Sequence, residues 1–128
     1  MIKGIEHIGL CAQDPERIVA WYVSVLNCEV VHSIEERSTY FLRFPGGGMV
    51  EVYPATTHTT PVENLNSGLR HLAIRVDDFE SDYKYMVDHG ALLIPEMTVR
   101  SEEMKLAFFR DPEGNLIHLV QRFVALPF

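Results

Sequence analysis

Cysteine is scarce in this chain. Cys11 and Cys28 are the two in 128 residues, and no Cys-x-x-Cys pair exists. Neither a cysteine-based metal site nor a disulfide is therefore expected; two free thiols fit a reducing cytosol. Positive charge is also short. Lys and Arg number 11 against 18 Asp and Glu, for a formal net charge of −7. A surface of that sign argues against a nucleic-acid or anionic-membrane partner, but not against a small-molecule substrate. No apolar run is long enough to span a bilayer, and Met1-Ile-Lys-Gly-Ile-Glu-His7 lacks the form of a signal peptide. A cytoplasmic location is therefore expected. The three glycines Gly46, Gly47 and Gly48 lack a following Lys-Ser/Thr and a following helix, so they read as a hairpin turn rather than a phosphate cradle.

What is present is a duplication. Phe108-Phe-Arg-Asp-Pro-Glu-Gly-Asn-Leu-Ile-His-Leu-Val120 reads as a strand end, a tight turn and a second strand. Phe41-Leu-Arg-Phe-Pro-Gly-Gly-Gly-Met-Val-Glu-Val-Tyr53 lies over it at an offset of 67. Arg43 falls on Arg110, Pro45 on Pro112, Gly47 on Gly114 and Glu51 on His118. Further upstream, His7 falls on His71, Asp14 on Asp78 and Glu16 on Glu80, at an offset of 64. A three-residue insertion separates the two offsets, and the natural place for it is before Lys105.

Each copy reads as βαβββ. Gly4 to Ala12 is a strand, and Asp14-Pro15-Glu16 opens a helix with Ile18, Trp21, Tyr22, Val25 and Leu26 on its apolar face. Strands follow near Glu29–Ile34, Thr39–Phe44 and Gly48–Tyr53. The second copy repeats this with a strand from Gly68 to Val76, a helix opened by Asp78 and closed by Gly90, and strands at Ala91–Ile94, Leu106–Arg110 and Leu116–Arg122. Pro95 to Lys105 reads as a mobile loop. The expected organisation is one α+β domain over 1–128: a first module (1–54), a linker (55–67), a second module (68–122) and an apolar tail (123–128). Two such modules need each other to close a core.

Four positions carry the chemistry: His7, Glu51, His71 and His118, one each from the first and last strand of each copy. Six histidines and 18 acidic residues among 128 would seldom fill four preset positions by chance. Three imidazoles and one carboxylate suit zinc, nickel, cobalt, iron(II) or manganese better than magnesium or calcium. One divalent transition metal per site is expected. Arg75 and Tyr53 share faces with His71 and Glu51 and are weaker candidates; Arg75 reads more simply as a solvated strand end.

The opening His7-Ile-Gly-Leu10, the stretch Gly68-Leu-Arg-His-Leu-Ala-Ile-Arg-Val-Asp-Asp78 and Phe109-Arg-Asp-Pro-Glu-Gly-Asn-Leu-Ile-His118 resemble the vicinal oxygen chelate superfamily. This is the glyoxalase, bleomycin-resistance and extradiol-dioxygenase fold. The resemblance spans almost the whole chain. It implies two tandem βαβββ modules forming a cup-shaped, partly open eight-stranded sheet around a metal, with His7, Glu51, His71 and His118 as ligands. It also implies open metal positions for two neighbouring substrate oxygens.

One position departs from the pattern. Glyoxalase-I-like members usually carry at His118 a Glu that both ligates and moves the proton. Either Glu51, its counterpart in the first copy, takes that catalytic role, or three histidines and one glutamate serve different chemistry. A metal-dependent lyase or isomerase is the first expectation. A dioxygenase is the second, and a drug- or metabolite-binding resistance protein the third. The link from Tyr53 to Gly68 is short, and the tail from Phe123 to Phe128 is apolar, so a homodimer is expected.

Overall fold

In the computed structural model, which describes residues 1–60 and 63–127, the chain divides into two compact units, Met1–Thr59 and Thr60–Phe128. Pro61, Val62 and Phe128, which fall in the expected linker and tail, lie outside the described residues.

The first unit runs β1 (Ile8–Ala12), α1 (Pro15–Leu26), β2 (Glu29–Ile34), a short 3-10 turn (Glu35–Arg37), β3 (Thr39–Arg43) and β4 (Met49–Pro54). Its four strands lie in the order β1-β4-β3-β2. β1 runs parallel to β4, and the other pairs are antiparallel. Asp14 caps α1 by accepting from Arg17 N–H at 3.2 Å, and Pro15 takes the first turn, where its missing donor costs nothing. Ile18, Tyr22 and Val25 recur on one stripe and are buried. They meet Leu42, Val50 and Val52, the buried face of the sheet. Each aliphatic side chain so buried contributes about 1.5 to 3 kcal/mol. Trp21 is half-buried beside that stripe. The helix stops where Asn27 turns left-handed at φ 57° and Cys28 N–H reaches back to Tyr22 O.

The second unit repeats the plan: β5 (His71–Arg75), α2 (Phe79–Asp88), β6 (Leu92–Arg100), β7 (Met104–Arg110) and β8 (Leu116–Arg122), in the order β5-β8-β7-β6. Asp78 accepts from Ser81 N–H, and Phe79 and Met86 are buried. Gln121 ties the helix start to β8. Its Oε1 accepts from Phe79 N–H at 2.9 Å, and its Nε2 donates to Asp77 O at 2.6 Å. The β7–β8 turn is built on Asp111, which is 1% exposed. Its carboxylate accepts from the backbone N–H groups of Glu113 and Asn115 and from the Asn115 side chain.

Two expectations need correction. The first strands are shorter than Gly4 to Ala12 and Gly68 to Val76; their ladders begin at Ile8 and His71. Pro95 to Lys105 is mostly strand and not a loop. Part of the extra length is lodged within the ladder, where three residues between Ile94 and Thr98 face a single step of β7 from Phe108 to Ala107, against one such residue, Val31, in β2; the rest lengthens the β6–β7 hairpin by the pair Arg100 and Lys105. Such a bulge on an edge strand accommodates Pro95, which has no N–H to donate. The tail is anchored by Phe123 N–H and Val124 N–H donating to Glu103 O, yet Phe123, Val124 and Leu126 are about half exposed on this chain.

Candidate metal centre

Each sheet has one face against its helix and one face away from it. Strand alternation puts Val50 and Val52 on the helix face, and so Glu51 and Tyr53 on the other. The register pairs Glu51 with Gly9 of β1 and with Phe41 of β3. His7, two residues before Gly9, shares this face, and its ring meets Phe41 edge-on at 5.5 Å. His7 Nδ1 lies 3.1 Å from Glu6 Oε1. A carboxylate oxygen accepts, so Nδ1–H donates and Nε2 keeps its lone pair. Glu51 is half-buried and, among the described residues, has no hydrogen-bond or ion-pair partner. Gly9 is glycine for a local reason. A Cβ there would stand 3.2 Å from Tyr53 Cε1 and 3.4 Å from its hydroxyl, so Tyr53 lies over the bare backbone.

The second unit reproduces the register. His118 pairs with Ala73 of β5 and with Phe108 of β7, as Glu51 does with Gly9 and Phe41. The His71 ring lies 4.6 Å from that of His118 and 5.2 Å from Phe108, and Phe108 is 4.7 Å from His118. His71 Nδ1 is 2.7 Å from Asn64 Oδ1, which again leaves Nε2 as the unprotonated nitrogen. His118 is only 9% exposed, and its Nδ1 has neither solvent nor a partner.

Burial first, then the nearby His71 and Arg122, push the His118 imidazole down from its ordinary 6.5 to about 4. At neutral pH the ring is uncharged, and no proton competes with a cation for it. The sign for stability follows. The unfolded ring takes up its proton near 6.5 and the folded one resists until about 4, so stability falls as pH drops through that window. Metal-free protein is expected to lose on the order of 2 to 3 kcal/mol of unfolding free energy there through this group. Denaturant unfolding across the window checks it, and His118→Leu should flatten that part of the profile.

The structure therefore brings together His7 with Glu51 on one face, and His71 with His118 in ring contact. Within neither unit do three His, Cys, Asp or Glu side chains gather at metal-holding spacing, among the described residues. Each unit presents donors that suit a divalent transition metal: in the first, an imidazole with Nδ1 engaged and a carboxylate with no partner among the described residues; in the second, an imidazole with Nδ1 engaged and a neutral buried imidazole with an unsatisfied nitrogen. Arg75 ends β5 on the His71 face and is exposed. Sequence reasoning missed Phe41, Phe108, Glu6 and Asn64. The two phenylalanines were visible as a matched pair in the repeat, whereas nothing in the sequence linked Asn64 to His71. Among the described residues no helix is long and apolar enough to cross a membrane, which says nothing of a β-barrel.

The chain is similar to several known proteins. The uncharacterized protein YwkD of Bacillus subtilis (strain 168) is 29% identical over 130 residues, covering 95% of this chain and 99% of its own. Biphenyl-2,3-diol 1,2-dioxygenase 3 of Rhodococcus globerulus is 27% identical over 128 residues, covering 90% of this chain and 61% of its own. Among solved structures, a mutant of the fosfomycin resistance protein FosX from Listeria monocytogenes is complexed with Mn(II) and 1S,2S-dihydroxypropylphosphonic acid. It superposes with a TM-score of 0.72 at 18% identity, over 98% of this chain and 94% of its own, and so shares the fold. The profile of the Glyoxalase/Bleomycin resistance protein/Dioxygenase superfamily matches residues 4–119, and the chain belongs to that superfamily.

Proposed function

We propose that the chain is a divalent-metal-dependent lyase or isomerase of the glyoxalase-like type. It would chelate two neighbouring oxygens of a small substrate and move a proton next to a carbonyl. The proposed ligands are His7, Glu51, His71 and His118, two from each unit. The observation that carries this is the doubled register, in which Glu51 and His118 hold equivalent positions, each between a β-strand residue without bulk and a phenylalanine.

When bound, such a cation supplies Lewis-acid polarisation of the chelated oxygens. The protein's own part is positional. Phe41 and Phe108 brace the histidine rings. His118, neutral at physiological pH, supplies a nitrogen without first releasing a proton. Glu51 is the one carboxylate of the set and the proposed proton acceptor, doubling as ligand.

A second reading, an iron(II) or manganese dioxygenase acting on a diol, is favoured by the resemblance to biphenyl-2,3-diol 1,2-dioxygenase 3 and by an imidazole at His118. Incubating metal-loaded protein with a panel of α-hydroxycarbonyl compounds in deuterated water separates the two. The lyase or isomerase reading expects deuterium at the carbon beside the carbonyl with no oxygen consumed. Oxygen uptake with catechols and no exchange would overturn it in favour of the second.

A further inference from the structure

His7 has its Nδ1 engaged by its own neighbour in sequence, Glu6. His71 has no such neighbour, since Arg70 and Leu72 flank it. Its acceptor, Asn64 Oδ1 at 2.7 Å, comes from seven residues upstream in a stretch that is neither helix nor strand. Something must hold that stretch, because an irregular segment otherwise samples many conformations.

Two devices hold it. Glu63 N–H donates to Asn66 Oδ1 at 2.9 Å, and Asn66 N–H donates to Glu63 O at 3.0 Å, which closes a tight turn around Asn64. The Glu63 carboxylate accepts from Arg110 Nη2 at 3.2 and 3.0 Å, one to each oxygen. Arg110 ends β7, and its Nη1 donates to Gly114 O at 2.8 Å within the β7–β8 turn. The hairpin that carries Phe108 and His118 thus also fixes the segment that presents Asn64. His71 stands between these two and is constrained from both sides. The equivalent arginine of the first unit, Arg43, binds Glu29 on β2 instead and holds no such segment. Among the described residues the device is found in the second unit alone.

We propose that Asn64 is a positioning residue for His71. It holds the imidazole in the Nδ1–H tautomer and so presents Nε2 to the metal, while the Arg110–Glu63 pair holds Asn64. The consequence for metal binding rests on the reading above; the tautomer does not.

The test uses the full chain and the variants Asn64→Ala, Asn64→Asp and Arg110→Gln. Ring nitrogens are labelled with 15N, and the His71 resonances of metal-free protein are read at mildly alkaline pH. Zinc affinity is then measured by competition with a chelating dye. Wild type and Asn64→Asp should show Nδ1–H at His71. Asn64→Ala should move it toward the Nε2–H form that free imidazole prefers in water, and weaken zinc by about 10- to 100-fold. Arg110→Gln should shift both in the same direction. Rescue by Asp separates an acceptor's role from mere packing, since a structural loss would appear in both variants. An unchanged His71 tautomer in Asn64→Ala, or an Asn64→Asp variant as impaired as Asn64→Ala, overturns the proposal. If wild type takes up none of zinc, nickel, cobalt, iron(II) or manganese, the metal reading fails, and the tautomer comparison still decides the role of Asn64.

Discussion

Replacing Glu51 by Gln is expected to lower kcat by about 10²- to 10⁴-fold, the usual contribution of a positioned general base, while metal binding weakens far less. The asymmetry follows from what the substitution removes. Gln keeps the shape and one oxygen donor, and three imidazoles remain to hold the cation. What it cannot do is accept a proton. The fold has little reason to respond, since Glu51 is half-buried, makes no hydrogen bond or ion pair among the described residues, and leaves Val50 and Val52 in the core untouched. Steady-state kinetics on the true substrate, with metal content measured on the same samples, check this. Full activity in Glu51→Gln would place the base elsewhere.

The second large effect concerns His7 and His118. His7→Ala and His118→Leu should each lose most of their bound metal, because each removes an imidazole that nothing nearby replaces. Leu at 118 preserves apolar volume against Phe108 and removes the unsatisfied Nδ1, so the variant should fold as well as wild type. These two chains also test the assembly. We propose a homodimer in which each metal takes His7 and Glu51 from one copy and His71 and His118 from the other. Mixed under subunit exchange, the two inactive chains then form dimers with one intact site and one lacking both residues, so metal binding partly returns. If each site is complete within one chain, every site stays damaged and nothing returns. A chain that sediments as a monomer would remove the assembly proposal entirely.

Much of this was legible in the sequence because it is written twice. Asp14 and Asp78 cap their helices as their positions before an amphipathic run imply. The Asp111 to Asn115 turn and the equivalence of Glu51 and His118 appear in the register as they do in the alignment of the two copies. What was not legible depends on partners distant in sequence. Pro95, Glu96 and Met97 carry loop chemistry, but pairing with β7 on both sides of them makes β6 a bulged strand. Asn64 is one polar residue among several in the connecting segment; Arg110, 46 positions later, and the closed turn at Glu63 give it a fixed place. The depressed His118 likewise reflects burial on a strand covered on both faces, which alternation alone does not reveal.

The central claim is that His7, Glu51, His71 and His118 hold one metal. It is tested most directly by elemental analysis of the full chain purified without chelator, repeated after stripping and reloading. About one divalent transition metal per chain is predicted, as the ligand count of a single mononuclear site requires. Protein that arrives metal-free and then takes up none of zinc, nickel, cobalt, iron(II) or manganese would contradict it.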